Sequence, residues 1–119
     1  MNILIAGVGK IGRTLAKQLA AEGHDLTLID VKNQVLETIV EQFDAMGVCG
    51  NCASMEVLKS AGIQEMDLVI AVTNADEVNL LCCLTAHGLN PKVHTIARIR
   101  DPEYAEQIMT MRKVFYLLR

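Results

Sequence analysis

The sequence has no tryptophan, only two tyrosines, two phenylalanines and two prolines, and no excess of basic charge. With aromatics at 3% of the chain, there is little material for a separate substrate-binding half. Eleven Lys and Arg face fourteen Asp and Glu, a formal net charge of -3, and no basic run occurs. That balance excludes the broad basic footprint of a nucleic-acid binder. Long hydrophobic runs are missing as well. The longest, residues 3–8, contains a glycine and falls far short of the roughly 18 residues that span a bilayer, so no direct membrane insertion is expected. Met1-Asn2 lacks a basic segment, and the apolar run leads into a glycine loop rather than a cleavage site, so no signal peptide is expected. The four cysteines then fit a reducing cytoplasm, where they act as small hydrophobes.

What is present is a core. Apolar residues make up 51% of 119 residues, which excludes disorder and gives one domain's worth of chain. A domain of this size buries roughly two-thirds of the surface its unfolded chain exposes, without needing a metal or disulfide. Residues 2–6 are a short apolar run ending in glycine, as in a strand buried on both faces. From Lys10 to Glu22, Ile11, Leu15, Ala16 and Leu19 recur at helical spacing, and Gly23 stops the helix. Asp25–Asp30 is a second strand. Val35, Leu36, Ile39, Val40 and Phe43 mark one face of a second helix. A short strand follows at Met46–Cys49, and Ser54 caps a short helix ending at Gly62. Asp67–Val72 is the clearest buried strand. Thr73 with Asp76 fits a capping box for a helix running to Gly88. After the Asn90-Pro91 turn come a fifth strand, Val93–Ala97, and a last helix with Asp101 as N-cap and Pro102 at its first position. That helix carries Tyr104, Ile108, Met111 and Phe115. Strands alternating with helices predict right-handed βαβ units. The expected fold is α/β, a Rossmann-like doubly wound parallel sheet in a single three-layer domain.

Gly7-Val8-Gly9-Lys10-Ile11-Gly12 is a GxGxxG that follows a predicted strand and opens a predicted helix. In that setting the first glycine permits the tight turn and the second lets backbone approach a pyrophosphate. The third lets the helix pack close to the strand. The helix N-terminus offers free N–H groups and partial positive charge to phosphate. Asp30 ends the second strand 18 positions after Gly12, where a carboxylate can take the ribose hydroxyls. An anion there repels a 2′-phosphate and favours NAD or an adenine mononucleotide over NADP, although Lys32 nearby weakens the exclusion. The competing reading, a glycine-rich turn with no ligand, requires glycines, strand, helix and Asp30 to agree by accident. In the strand order 3-2-1-4-5, the loop Thr73-Asn74-Ala75-Asp76 faces the glycine loop, and Gly50-Asn51 lies beside Asp30 near an adenine pocket.

The glycine loop, Ile29-Asp30, Gly50-Asn51-Cys52-Ala53-Ser54, the stretch Val69 to Asn79 and Ala97-Arg98-Ile99-Arg100 occur in order. Together they resemble the TrkA-N (RCK/KTN) nucleotide-binding domain of Trk potassium-uptake regulators, over essentially the whole chain. The most specific parts are Ala71-Val72-Thr73-Asn74 through Asn79 and the Ala-Arg-Ile-Arg strand, which ordinary Rossmann dehydrogenases lack. The resemblance implies a cytoplasmic regulatory subunit, held at the inner face of the plasma membrane by a membrane potassium transporter. It implies a homodimer or larger ring, and NAD(H) or ATP/ADP, with AMP also admissible, as the ligand that sets the ring's shape. Family contacts map onto Gly7, Val8, Gly9, Lys10, Ile11 and Gly12 around the phosphates, and onto Asp30, Val31 and Lys32 at the ribose. They map onto Asn51 and Cys52 near the base, and onto Thr73 and Asn74 near phosphate or a second ribose. Arg98 is expected at the carboxyl end of the fifth strand, pairing with phosphate, with a neighbouring subunit, or with Asp76 or Asp101. Arg100 is expected to be structural or interfacial. Relatives continue past the last helix, so the chain is expected to be the N-terminal part of a longer regulator. Val114, Phe115, Tyr116, Leu117 and Leu118 would then form a patch that drives dimerisation.

Two other classes compete. Cys49-Gly-Asn-Cys52 has redox-motif spacing but follows a strand rather than opening a helix. Cys83 and His87 share a helix face, yet with Cys82 they sit among Leu80, Leu81 and Leu84 and read as core. No metal site is expected. An NAD-dependent oxidoreductase fragment would need a proton donor at the nicotinamide, and only Thr73 and His94 lie near strand ends. The chain is therefore expected not to be an enzyme.

Overall fold

A computed structural model describes residues 1–117, with side chains described through Met111. The apolar stretch Val114, Phe115, Tyr116, Leu117 and Leu118, as a patch of side chains, lies outside the described residues. The elements are β1 (Asn2–Ala6), α1 (Lys10–Ala21), β2 (Asp25–Asp30), α2 (Asn33–Phe43), β3 (Met46–Cys49) and α3 (Met55–Ser60). A 3₁₀ turn (Ile63–Glu65), β4 (Leu68–Ala71), α4 (Asp76–Leu89), β5 (His94–Ala97) and α5 (Pro102–Leu117) follow among the described residues. The five strands form one parallel sheet in the order β3-β2-β1-β4-β5, with Ala6 beside Ile29 on one side and Ala71 on the other. The expected Rossmann-like doubly wound sheet is the fold observed.

Strand periodicity divides the core between the two faces. Ile3, Ile5, Leu26, Leu28, Ile70 and Val72 meet Ala16 of α1 and Leu36 and Ile39 of α2. Leu4, Ala6, Ile29, Val69 and Ala71 meet Leu58 of α3 and Cys82, Cys83 and Ala86 of α4. Both faces of the central strands are dry, which is why they read as unbroken apolar runs rather than alternating ones. Among the described residues no helix is long and apolar enough to cross a membrane.

Two helical faces differ from the spacing-based expectation. Ile11 is 41% exposed, because α1 turns Gly12 and Ala16 toward the sheet and leaves Ile11 outward. On α4 the buried stripe is Asp76, Asn79, Cys82, Cys83 and Ala86. Leu81 and Leu84 are 51% and 40% exposed and, with Leu80, line a shallow apolar groove beside Tyr104, Ile108 and Met111 of α5. Cys82 and Cys83 are core as expected, but these leucines face α5 instead of the sheet.

Candidate functional site

The carboxyl ends of β1, β2 and β4 open into a crevice of about 790 Å³ at the point where the strand order reverses from β1 to β4. A volume of that order suits a drug- or nucleotide-sized ligand. One wall is the glycine loop. Gly7 has φ +100°, and its N–H donates to Ile29 O at 2.8 Å. A Cβ there would lie 2.9 Å from the backbone nitrogen of Thr73, so both its dihedral and its surroundings require glycine. A Cβ at Gly12 would overlap the Gly7 carbonyl oxygen, which is the close helix–strand contact expected of the third glycine. Gly9, by contrast, has open space around its missing Cβ, and that space belongs to the crevice.

Asp30 ties the loop to β2. Its Oδ2 accepts the Val8 N–H at 2.8 Å and its Oδ1 accepts the Lys32 N–H at 2.8 Å. A carboxylate has about four lone-pair sites, so each oxygen keeps capacity for one more donor such as a ribose hydroxyl. Gly50 N–H donates to Asp30 O at 3.0 Å, which brings Gly50, Asn51 and Cys52 to the same end of the cavity. Lys10, Arg13 and Lys32 line it as well, a cluster of cations around one anion.

The opposite wall is Thr73, Asn74 and Ala75. The expected capping box does not form here. The N-cap of α4 is Ala75, with no side-chain cap bond. Thr73 is held instead by Asn79, whose Oδ1 accepts the Thr73 N–H at 2.8 Å and lies 2.7 Å from its hydroxyl. Asp76 turns away from the crevice and accepts the N–H groups of Arg100 and Asp101, both at 2.9 Å. Those bonds, that of Arg100 first, hold its carboxyl below the usual carboxylate range, with smaller help from the Arg100 and Arg98 charges.

Eleven of the residues assigned to the site from sequence line one cavity: Gly7, Val8, Gly9, Lys10, Asp30, Val31, Lys32, Asn51, Cys52, Thr73 and Asn74. Ile11, Gly12 and Arg98 do not line it. Arg98 serves through its backbone, donating to Ala71 O at 2.9 Å and accepting from Asn79 Nδ2 at 2.9 Å. Sequence reasoning missed Arg13 and Thr14, one turn into α1, and the apolar floor of Val35 and Val78. The position of Arg13, three after Lys10 and so on the same helix face, was the available signal.

The cysteines divide. Cys49 is exposed and donates to Val31 O at 3.6 Å, whereas Cys52 is buried against Cys82. The hydrogen bond between these two thiols lowers Cys52 against the opposing effect of its burial, and the same bond together with burial raises Cys82; burial first of all pushes Cys83 up to about 11. The CxxC pair thus engages different partners, and all four thiols are free. Among the described residues no three His, Cys, Asp or Glu side chains are grouped to hold a metal.

Known proteins share this sequence and fold. The Trk system potassium uptake protein TrkA of Haemophilus influenzae is 40% identical over 107 residues, 90% of this chain and 23% of that protein. This chain therefore spans under a quarter of that relative. The TrkA-N domain of the inner membrane protein ybaL from Escherichia coli superposes with a TM-score of 0.79 at 20% identity, covering 99% of this chain and 96% of that one. The GsuK channel bound to NAD superposes with a TM-score of 0.77 at 25% identity, covering 92% of this chain and 20% of that one. Residues 3–115 match the TrkA-N domain as a family, and the chain belongs to that family.

Proposed function

We propose that this domain binds an adenine nucleotide, NAD(H) or ATP/ADP with AMP also admissible, in the β1/β4 crevice and uses it to control potassium transport. The observation that carries the reading is Asp30, anchored by one bond per oxygen to Val8 and Lys32 and still able to accept from a ribose. It shares a cavity with the open side of Gly9, the cations Lys10 and Arg13 and the Thr73–Ala75 wall. The relatives add two supports: one is a potassium uptake protein and another is a channel bound to NAD. On this reading the domain works in the cytoplasm as a homodimer or larger ring, attached to a membrane potassium transporter. Ligand pairs of different affinity for two domain arrangements supply the control, within the ~1–3 kcal/mol usual for coupling between sites. A regulatory role is favoured over hydride transfer by the potassium uptake relative; of the two candidate proton donors, Thr73 lines the cavity and His94 does not.

A thermal-shift panel of NAD, NADH, NADP, ATP, ADP and AMP tests the reading. Saturation at a hundredfold excess over Kd adds about 2.7 kcal/mol, a melting rise of roughly 10 °C for a domain this size. NADP should give the smallest response, because Asp30 opposes its 2′-phosphate. Asp30→Ala should weaken the bound nucleotide by ~1–3 kcal/mol through the lost ribose bonds. Unchanged affinity in that variant would remove the ribose clamp from the account, and turnover of NADH absorbance by the wild type would revive the oxidoreductase reading.

A further inference from the structure

The crevice wall opposite the glycine loop is fastened to the start of α5 by two buried side chains of α4. Asn79 is fully buried. Its Oδ1 takes both the N–H and the hydroxyl of Thr73, and its Nδ2 donates to Thr73 O at 3.1 Å and to Arg98 O at 2.9 Å. Two acceptor sites and two donors are the whole capacity of an amide, so every bond it can make is used. Three residues earlier on the same helix face, Asp76 accepts the N–H groups of Arg100 and Asp101. Asp101 in turn caps α5, accepting the Glu103 N–H at 2.9 Å. A continuous chain of bonds therefore runs from Thr73 in the crevice to the first turn of α5. Neither Asn79 nor Asp76 lines the crevice itself.

Among its described side chains, through Met111, α5 is lightly held. Tyr104, Met109 and Met111 are 36%, 67% and 38% exposed, and Leu81 and Leu84 opposite them are exposed too. Where apolar burial is this thin, an element opens locally at low free energy, and the few polar ties at its base decide how it sits. A buried, fully bonded amide has discrete rather than graded alternatives, because sliding Thr73 breaks bonds at both ends of Asn79.

We propose that Asn79 and Asp76 are positioning residues that couple occupancy of the crevice to the docking of α5. Contacts made by a nucleotide with Thr73 and Asn74 fix the Asn79 network, and through Arg98, Arg100 and Asp101 they bias α5 toward its docked position. The inference rests on the proposed nucleotide reading of the crevice.

Hydrogen exchange read by mass spectrometry on peptides covering residues 98–110, with and without NADH or ADP, tests it, with calorimetry on the same samples to establish binding. The bound nucleotide should slow exchange at 98–110 in the wild type about fivefold or more, the lower end of ordinary coupling. In Asp76→Asn the nucleotide should still bind, while the response at 98–110 falls below about twofold, as expected once the coupling is cut. Glu77→Gln, at the exposed neighbour, should respond as the wild type does. A nucleotide that binds the wild type without slowing 98–110 overturns the coupling alone, whether or not Asp76→Asn folds. An undiminished response in Asp76→Asn overturns the assigned route. No calorimetric binding of either nucleotide overturns the proposed function, and the coupling with it.

Discussion

Residues 7–10 and residues 73–75 are opposite walls of one crevice, and they are held by different kinds of force. The glycine loop is fixed by backbone sterics: a positive φ at Gly7 and contacts at Gly7 and Gly12 too close for any Cβ. The facing loop is fixed by a side chain of α4, Asn79 onto Thr73, and the start of α4 beside it by Asp76, which accepts the Arg100 and Asp101 N–H groups. Steric requirements leave a mark in local sequence, because only one residue type satisfies them. Polar ties leave none until the fold shows which partners meet. The first wall is fixed by sterics and the second by polar bonds.

The largest effect should come from breaking the steric wall. Gly12→Ala forces a methyl into the Gly7 carbonyl, with no flexible side chain to yield, and should cost ~3 kcal/mol or more in urea unfolding. Next comes the polar wall. Asn79→Ala strips the Thr73 N–H, the Thr73 carbonyl and the Arg98 carbonyl of a partner in the interior, and should cost about 2–3 kcal/mol. If Asn79→Ala proved neutral, the side-chain network would not be what holds that wall. Acid unfolding sharpens the comparison further. The Asp76 carboxyl lies below its unfolded value of about 3.9, so its stabilisation is fully present above that pH and is lost as pH falls through the lower folded value. Asp76→Asn should therefore be less stable than the wild type at neutral pH, with a gap that narrows below about pH 4. A gap that stays constant with pH would mean the charge of Asp76 does not matter. The smallest effect on stability, below about 0.5 kcal/mol, should come from Gly9→Val, whose added atoms enter the open crevice.

Much of this was legible in the sequence, and the residues show why. Strand order, the glycine loop and Asp30 follow from buried runs and from glycines whose reasons are local. Thr73 and Asp76 have capping-box spacing, yet Asn79 claims the first and the N–H groups of Arg100 and Asp101 claim the second, both through tertiary contacts that no spacing encodes. Ile11 obeys helical periodicity and still faces solvent, because Gly12 takes the place against the sheet. The exposure of Leu81 and Leu84 was equally hidden, since periodicity marks an apolar face without saying whether a sheet or only α5 lies against it.

Gly9→Val separates fold from ligand and so tests the central claim most directly. Calorimetric titration of wild type and Gly9→Val with NADH and with ADP, alongside their melting curves, should show saturable binding in the wild type only, at nearly equal melting temperatures. Equal affinity in the two proteins, or no binding in the wild type, would contradict a nucleotide seated between the glycine loop and Thr73.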